Sequence, residues 1–195
     1  MPRVSRAETE KNRLAIEEAS SKLFRERGLS VSVADVMRAA GLTHGGFYGH
    51  FKSKDELAAI ACAKAFESSA AKWKQRAADI GDAKQARQAL IESYLNPKHR
   101  VAPSTGCPLA TLVVDVGRED SSKPVRDAFH QGVEQLLEVL SALQPDAVDA
   151  ERARQQALEQ LSTLVGAMVL SRATEGTELS DALLEAARQQ LLQPR

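Results

Sequence analysis

Four times within the first 57 residues, a hydroxyl residue able to cap a helix stands directly before a helix-compatible run: Ser5, Ser32, Thr43 and Ser53. Glycines at 28 and 41 close the first two runs. This punctuation constrains the chain to short, tightly connected helices, because a cap oxygen satisfies orphan backbone N–H groups and glycine tolerates the left-handed end conformation. Ser5 with Glu8 forms a capping-box pair. Ile16, Ala19, Leu23 and Phe24 give the first helix one apolar stripe, and Val33, Val36 and Met37 give the second its apolar face. Thr43 opens a third helix, HGGFYGHF, and Ser53 a fourth, running from Lys54 to about Ala78 with Asp55 and Glu56 placed for the helix dipole.

The remaining chain reads as helix as well. Runs are expected at 82–95, 108–118, 124–143 and 150–174, with a last helix after Ser180 and a proline-bracketed loop, NPKHRVAPSTG, between the first two. No segment shows the period-2 alternation of a strand. The expected fold is therefore all-α, with about nine helices: an N-terminal helix-turn-helix domain over 1–57 and a C-terminal helical domain over 58–195.

Composition narrows the function classes. The formal net charge is zero, but the first 56 residues are slightly basic and the rest slightly acidic. DNA binding depends on where charge sits more than on its sum. No apolar run reaches the ~20 residues of a membrane span. The polar start and the two cysteines, Cys62 and Cys107, lead us to expect a cytoplasmic, reducing location without membrane partners or a structural disulfide. A Gly-rich phosphate loop, a GxSxG elbow, HExxH and paired CxxC spacings are all missing, so no catalytic residues, metal or cofactor are expected.

Ala40 to Leu57, AGLTHGGFYGHFKSKDEL, closely resembles the recognition-helix region of TetR-family repressors. The matching positions are Ala40, Gly41, Leu42, Thr43, Gly45, Phe47, Tyr48, His50, Phe51, Ser53, Lys54 and Leu57. Upstream, Phe24, Gly28, Ser32, Val33 and Val36 fall where that family has its first aromatic, its turn glycine and its second helix, although the 28–32 connection is slightly short. The resemblance implies a homodimer that binds a pseudo-palindromic operator in double-stranded DNA and is released by a small-molecule or electrophile inducer. Independently, an α-helix fits the major groove and presents its N-terminal residues to base edges. Those residues are Thr43, His44, Gly45 and Gly46, and Phe47 and Phe51 anchor the helix beneath. His44 is the base-reading candidate. Tyr48, His50 and Lys54 are candidates for phosphate contact, with Thr43 and Ser32 adding hydroxyl or helix-N-terminal contacts, and Lys52 is a further DNA-binding candidate. Arg3 and Arg6 form either a minor-groove arm or a solvated tail.

The C-terminal half matches no motif as sharply. Ala157, Leu161, Leu164, Val165 and Met168 form a stripe that reads either as core or, as the resemblance implies, as a dimer interface. Phe66, Trp73, Tyr94 and Phe129 are candidate linings of a ligand pocket, or plain core. Cys107 precedes Pro108 at a helix start, where backbone N–H groups stabilise a thiolate. It is either a redox or electrophile sensor or a small packed residue, while Cys62 reads as inert core. Two rival functions remain open at this level: a helical thiol-based enzyme, and a helical interaction protein that does not bind DNA.

Overall fold

The computed structural model describes residues 5–145 and 147–193, so Arg3 lies outside the described residues. All regular elements among these are helices. Helix α1 (Arg6–Arg27) and α2 (Val33–Ala39) lead into a 3-10 helix (His44–Gly49). Then follow α3 (Lys54–Ile80), α4 (Ala83–Tyr94), the single turn α5 (Pro97–Arg100), a 3-10 turn (Pro103–Thr105) and α6 (Leu109–Arg118). Helices α7 (Pro124–Ala142), α8 (Ala150–Ala173) and α9 (Glu178–Leu192) complete the chain.

The caps operate as the sequence dictates. Ser5, Ser32 and Ser53 accept the backbone N–H of Glu8, Asp35 and Glu56, each at 3.1 Å. Gly28 ends α1 at φ +81°, and the carboxylate of Asp115 fills the space a Cβ would need. Two details differ from expectation. The expected loop over 96–106 is largely helical turns, because Asn96 caps α5 and prolines at 97 and 103 preset helical φ. Helix α9 begins at Glu178, ahead of Ser180.

One continuous core joins the head to the rest. It runs from Ile16, Phe24, Phe47 and Phe51 through Leu57 and Phe66 on α3 to Leu136 and Leu140 on α7 and Leu164 and Met168 on α8. Helix α3 packs along α7, where Gly132 lets the Phe66 ring approach the α7 backbone. The proposed division near residue 57 thus falls within α3.

The stripe Ala157, Leu161, Leu164 and Met168 is buried within the subunit, and Val165 is half-buried. Helix α9 folds back on α8 and α7 flanks it, so these residues have a partner in their own chain. Of the two readings of the stripe, core or pairing face, its burial within the subunit fits the first. The outward side of the same helices instead carries Leu158, Leu170 and Leu179, at 39%, 53% and 57% exposure. No described helix is long and apolar enough to cross a membrane.

Candidate nucleic-acid interface and a cleft in the helical body

The sequence around 43–51 folds as a 3-10 helix rather than the α-helix expected. Glycines at 45, 46 and 49 each weaken an α-helix by ~1 kcal/mol relative to alanine, and the segment settles into tighter i→i+3 bonds. Gly46 N–H donates to Thr43 C=O and His50 N–H to Phe47 C=O, at 3.1 and 2.9 Å. The element is held from below. Phe47 is fully buried and stacks on Phe51 with ring centroids 5.7 Å apart. Arg13 of α1 grips its far end, donating to the His50 carbonyl at 2.6 Å while its guanidinium lies 4.5 Å over the Phe51 ring. Glu17 holds that arginine at 3.1 Å.

This support leaves Thr43, His44, Gly45, Gly46 and Tyr48 facing solvent. Tyr48 is 71% exposed, and its ring is braced edge-on by Phe47 at 5.2 Å. The Thr43 hydroxyl makes no cap bond and is free for a ligand. The Ser32 hydroxyl, by contrast, is engaged with Asp35, accepting its N–H and donating to its carboxylate at 2.6 Å. His50 is half-buried, with Nδ1 enclosed and lacking a hydrogen-bond partner. Lys52 is exposed and Lys54 half-exposed on the same flank. Together these give the segment an exposed surface of glycine backbone with hydroxyl, imidazole and ammonium groups, the group types that contact DNA backbone and base edges.

An open cavity of about 530 Å³ is bounded by α3, α4 and the 99–107 segment. Trp73 and Tyr94, expected as pocket residues, do line it; Phe66 and Phe129 do not. Those two pack edge-to-face at 5.3 Å in the core beside Gly132. Cys107 lines the cavity too, so the sensor candidate and the pocket occupy one place.

The electrostatics of Cys107 are mixed. The Leu109 and Ala110 N–H groups, the Tyr94 hydroxyl and the Arg172 guanidinium all favour its thiolate. Burial outweighs them and pushes the thiol above its ordinary value. The thiolate expected from the helix start is therefore not the resting form at neutral pH. Cys62, enclosed in apolar side chains, is pushed to about 12 by burial, as inert core should be. His99 is pushed down, chiefly by burial, and stays neutral. Its Nε2 accepts the Cys107 N–H at 3.1 Å, so its Nδ1 carries the proton given to the Tyr94 carbonyl at 2.8 Å.

Sequence reasoning missed Arg13, Arg25, Asp115 and Arg172 as organising residues. Their partners lie 37 or more residues away along the chain, and no local pattern signals that.

A solvent-facing reading helix on a packed three-helix head, continuous with a helical body that holds a cavity, defines a helix-turn-helix DNA-binding regulator. Residues 16–60 match the sequence model of the bacterial regulatory proteins of the tetR family. No curated protein sequence matches the chain. Among solved structures, a TetR transcriptional regulator from Chloroflexus aurantiacus is 24% identical with a TM-score of 0.76, covering 95% of this chain and 94% of that one. The reduced form of NemR from E. coli is 17% identical with a TM-score of 0.74, covering 90% and 94%. FadR from Bacillus subtilis, in complex with stearoyl-CoA, is 16% identical with a TM-score of 0.65, covering 92% and 97%. Residues 16–60 thus carry the segment that the tetR-family model describes, and the chain as a whole takes the fold of these solved structures.

Proposed function

We propose that the chain acts as a homodimeric repressor, with residues 1–57 as the reading head and 58–195 as the sensing and pairing body. The exposed Thr43–Tyr48 ridge, mounted rigidly on Phe47 and Phe51, carries this reading. His44 reads a base edge. Tyr48, His50, Lys52, Lys54 and the Thr43 hydroxyl hold phosphates, and Gly45 and Gly46 admit the groove wall. Ser32 serves through the N-terminus of α2, since its hydroxyl is already committed to Asp35. Pairing uses the outward faces of α8 and α9, where Leu158, Leu170 and Leu179 are exposed and a Cβ at Gly166 would meet open space. The operator is a pseudo-palindrome whose half-sites lie about 34–36 Å apart or somewhat more. The inducer is a small molecule seated in the cavity against Trp73 and Tyr94. Its volume falls within the ~300–1,000 Å³ of ordinary ligand sites.

Selection of bound fragments from random duplex DNA tests this. Binding should weaken steeply with rising salt. Tyr48→Ala should lower affinity about equally for all sequences, whereas His44→Ala should change preference at particular base pairs. No attraction for any duplex at low ionic strength overturns the reading, and equal losses for both variants overturn the division of roles.

A second route to release is modification of Cys107, favoured by its place in the cavity wall beside Arg172. An alkylating quinone adds at Sγ, and the thiol proton passes to the quinone oxygen. Because burial raises the thiol, modification should quicken as pH rises. Operator release by the quinone should vanish in Cys107→Ser; undiminished release there removes this route.

A further inference from the structure

One peptide unit touches both the head and the cavity. Its carbonyl, that of Gly106, accepts a hydrogen bond from Arg25 Nη1 on α1 at 3.0 Å. Its N–H, that of Cys107, donates to His99 Nε2 in the cavity wall at 3.1 Å. A peptide is planar and turns as one body, so a displacement of its N–H edge moves its C=O edge as well.

Both ends are anchored without slack. Arg25 is 8% exposed, and its other acceptors, the Ser21 carbonyl at 2.9 Å and the Ser21 hydroxyl at 3.5 Å, belong to its own helix. Gly106 is thus the acceptor from the body. Burial lowers the pKa of this guanidinium, partly offset by Glu18 at a distance, and a buried cation that loses an acceptor suffers more than a neutral donor would. On the cavity side, His99 is fixed by the Tyr94 carbonyl, while Arg172 clamps the His99, Arg100 and Ala110 carbonyls at 3.1 Å each. Gly106 itself leaves no room for adjustment: a Cβ there would stand 2.9 Å from His99 Nε2 and 3.1 Å from both the Ala102 carbonyl and Arg172. A second tie runs parallel, as Asp115 of α6 accepts the Leu29 N–H just past α1 at 2.9 Å.

We propose that the Gly106–Cys107 peptide is the mechanical link between cavity and reading head, with Arg25 as the positioning residue that transmits its orientation to α1. Any occupant of the cavity that moves His99 or the Cys107 backbone turns the plane, withdraws the Gly106 carbonyl from Arg25 and shifts α1, whose Arg13 further along the same helix grips the recognition helix. The proposal rests on the DNA-binding reading above and adds the regulation of that same cavity.

The test uses the full chain and the duplex selected above. His99→Ala removes the acceptor of the Cys107 N–H and should weaken operator binding about tenfold, the equivalent of roughly 1.4 kcal/mol. In an Arg25→Met background the same change should alter affinity less than twofold, because the link is already cut. Equal fold-losses in both backgrounds, or no loss in either, overturn the link. A measurement on the unaltered protein guards against misfolding of the arginine variant. Trp73, the only tryptophan, lines the cavity. Its emission should change when operator is added to wild type and stay constant in His99→Ala at saturating operator, since coupling between sites is reciprocal. An unchanged wild-type emission also overturns the proposal. If wild type binds no duplex, the functional reading fails; if it binds and the losses multiply, the link alone fails.

Discussion

Phe47→Ala is expected to destabilise the protein by about 3–5 kcal/mol and to abolish operator binding. The ring is fully buried, stacks on Phe51 and braces Tyr48 from beneath. Apart from Phe51 and the Arg13 grip on the His50 carbonyl, the recognition helix has little support of its own: it is a six-residue 3-10 element with three glycines, and a helix that short has no stability of its own in water. Removing the ring opens a cavity under the reading surface and releases the element, so affinity falls through loss of geometry even though no DNA-contacting group is deleted. Urea unfolding and operator titration measure the two effects. Tyr48→Ala is the control, since that side chain is exposed and its loss should leave stability within about 0.5 kcal/mol while still reducing binding. Wild-type affinity in Phe47→Ala would show that the ridge is not held by this ring.

Gly132→Val carries the second large effect. Gly132 is buried on α7, and a Cβ there would overlap the Phe66 ring of α3. Phe66 has no freedom to retreat, being fully buried and packed edge-on by Phe129. Overpacking of this kind costs ~1–3 kcal/mol, and the rigid aromatic places it near the top of that range. The small gain from replacing a helical glycine, below ~1 kcal/mol, does not offset it. For a chain of this size the melting temperature should fall by roughly 6–12 °C, readable by calorimetry. Phe66→Leu in the same background should recover part of the loss by making room. A rise in melting temperature for Gly132→Val would refute the close α3–α7 contact as a constraint.

Both residues illustrate what was legible in advance. Phe47 stood out because its spacing from Phe51 and from the flanking glycines is local, and local spacing survives any tertiary arrangement. Phe66 and Phe129 did not. As aromatics in the central helices they resembled pocket residues as much as Trp73 and Tyr94 do. What separates the pairs is Gly132, more than 60 residues along the chain from Phe66, which draws Phe66 into the core and leaves Trp73 and Tyr94 at the cavity.

The caps, the glycine stops and the helical periodicity were set by residues within a few positions of one another, so the order of the longer helices followed from sequence alone. Tertiary structure decided the rest. The fold-back of α9 turned the α8 stripe from a free face into core, burial set the thiol of Cys107 above its ordinary range despite a helix start beside it, and the meeting of Arg25 with the Gly106 carbonyl came from docking α1 on the 103–107 segment. Each depends on what the chain brings against a residue from far away, and burial of charge or apolar surface is a property of that meeting, not of the residue.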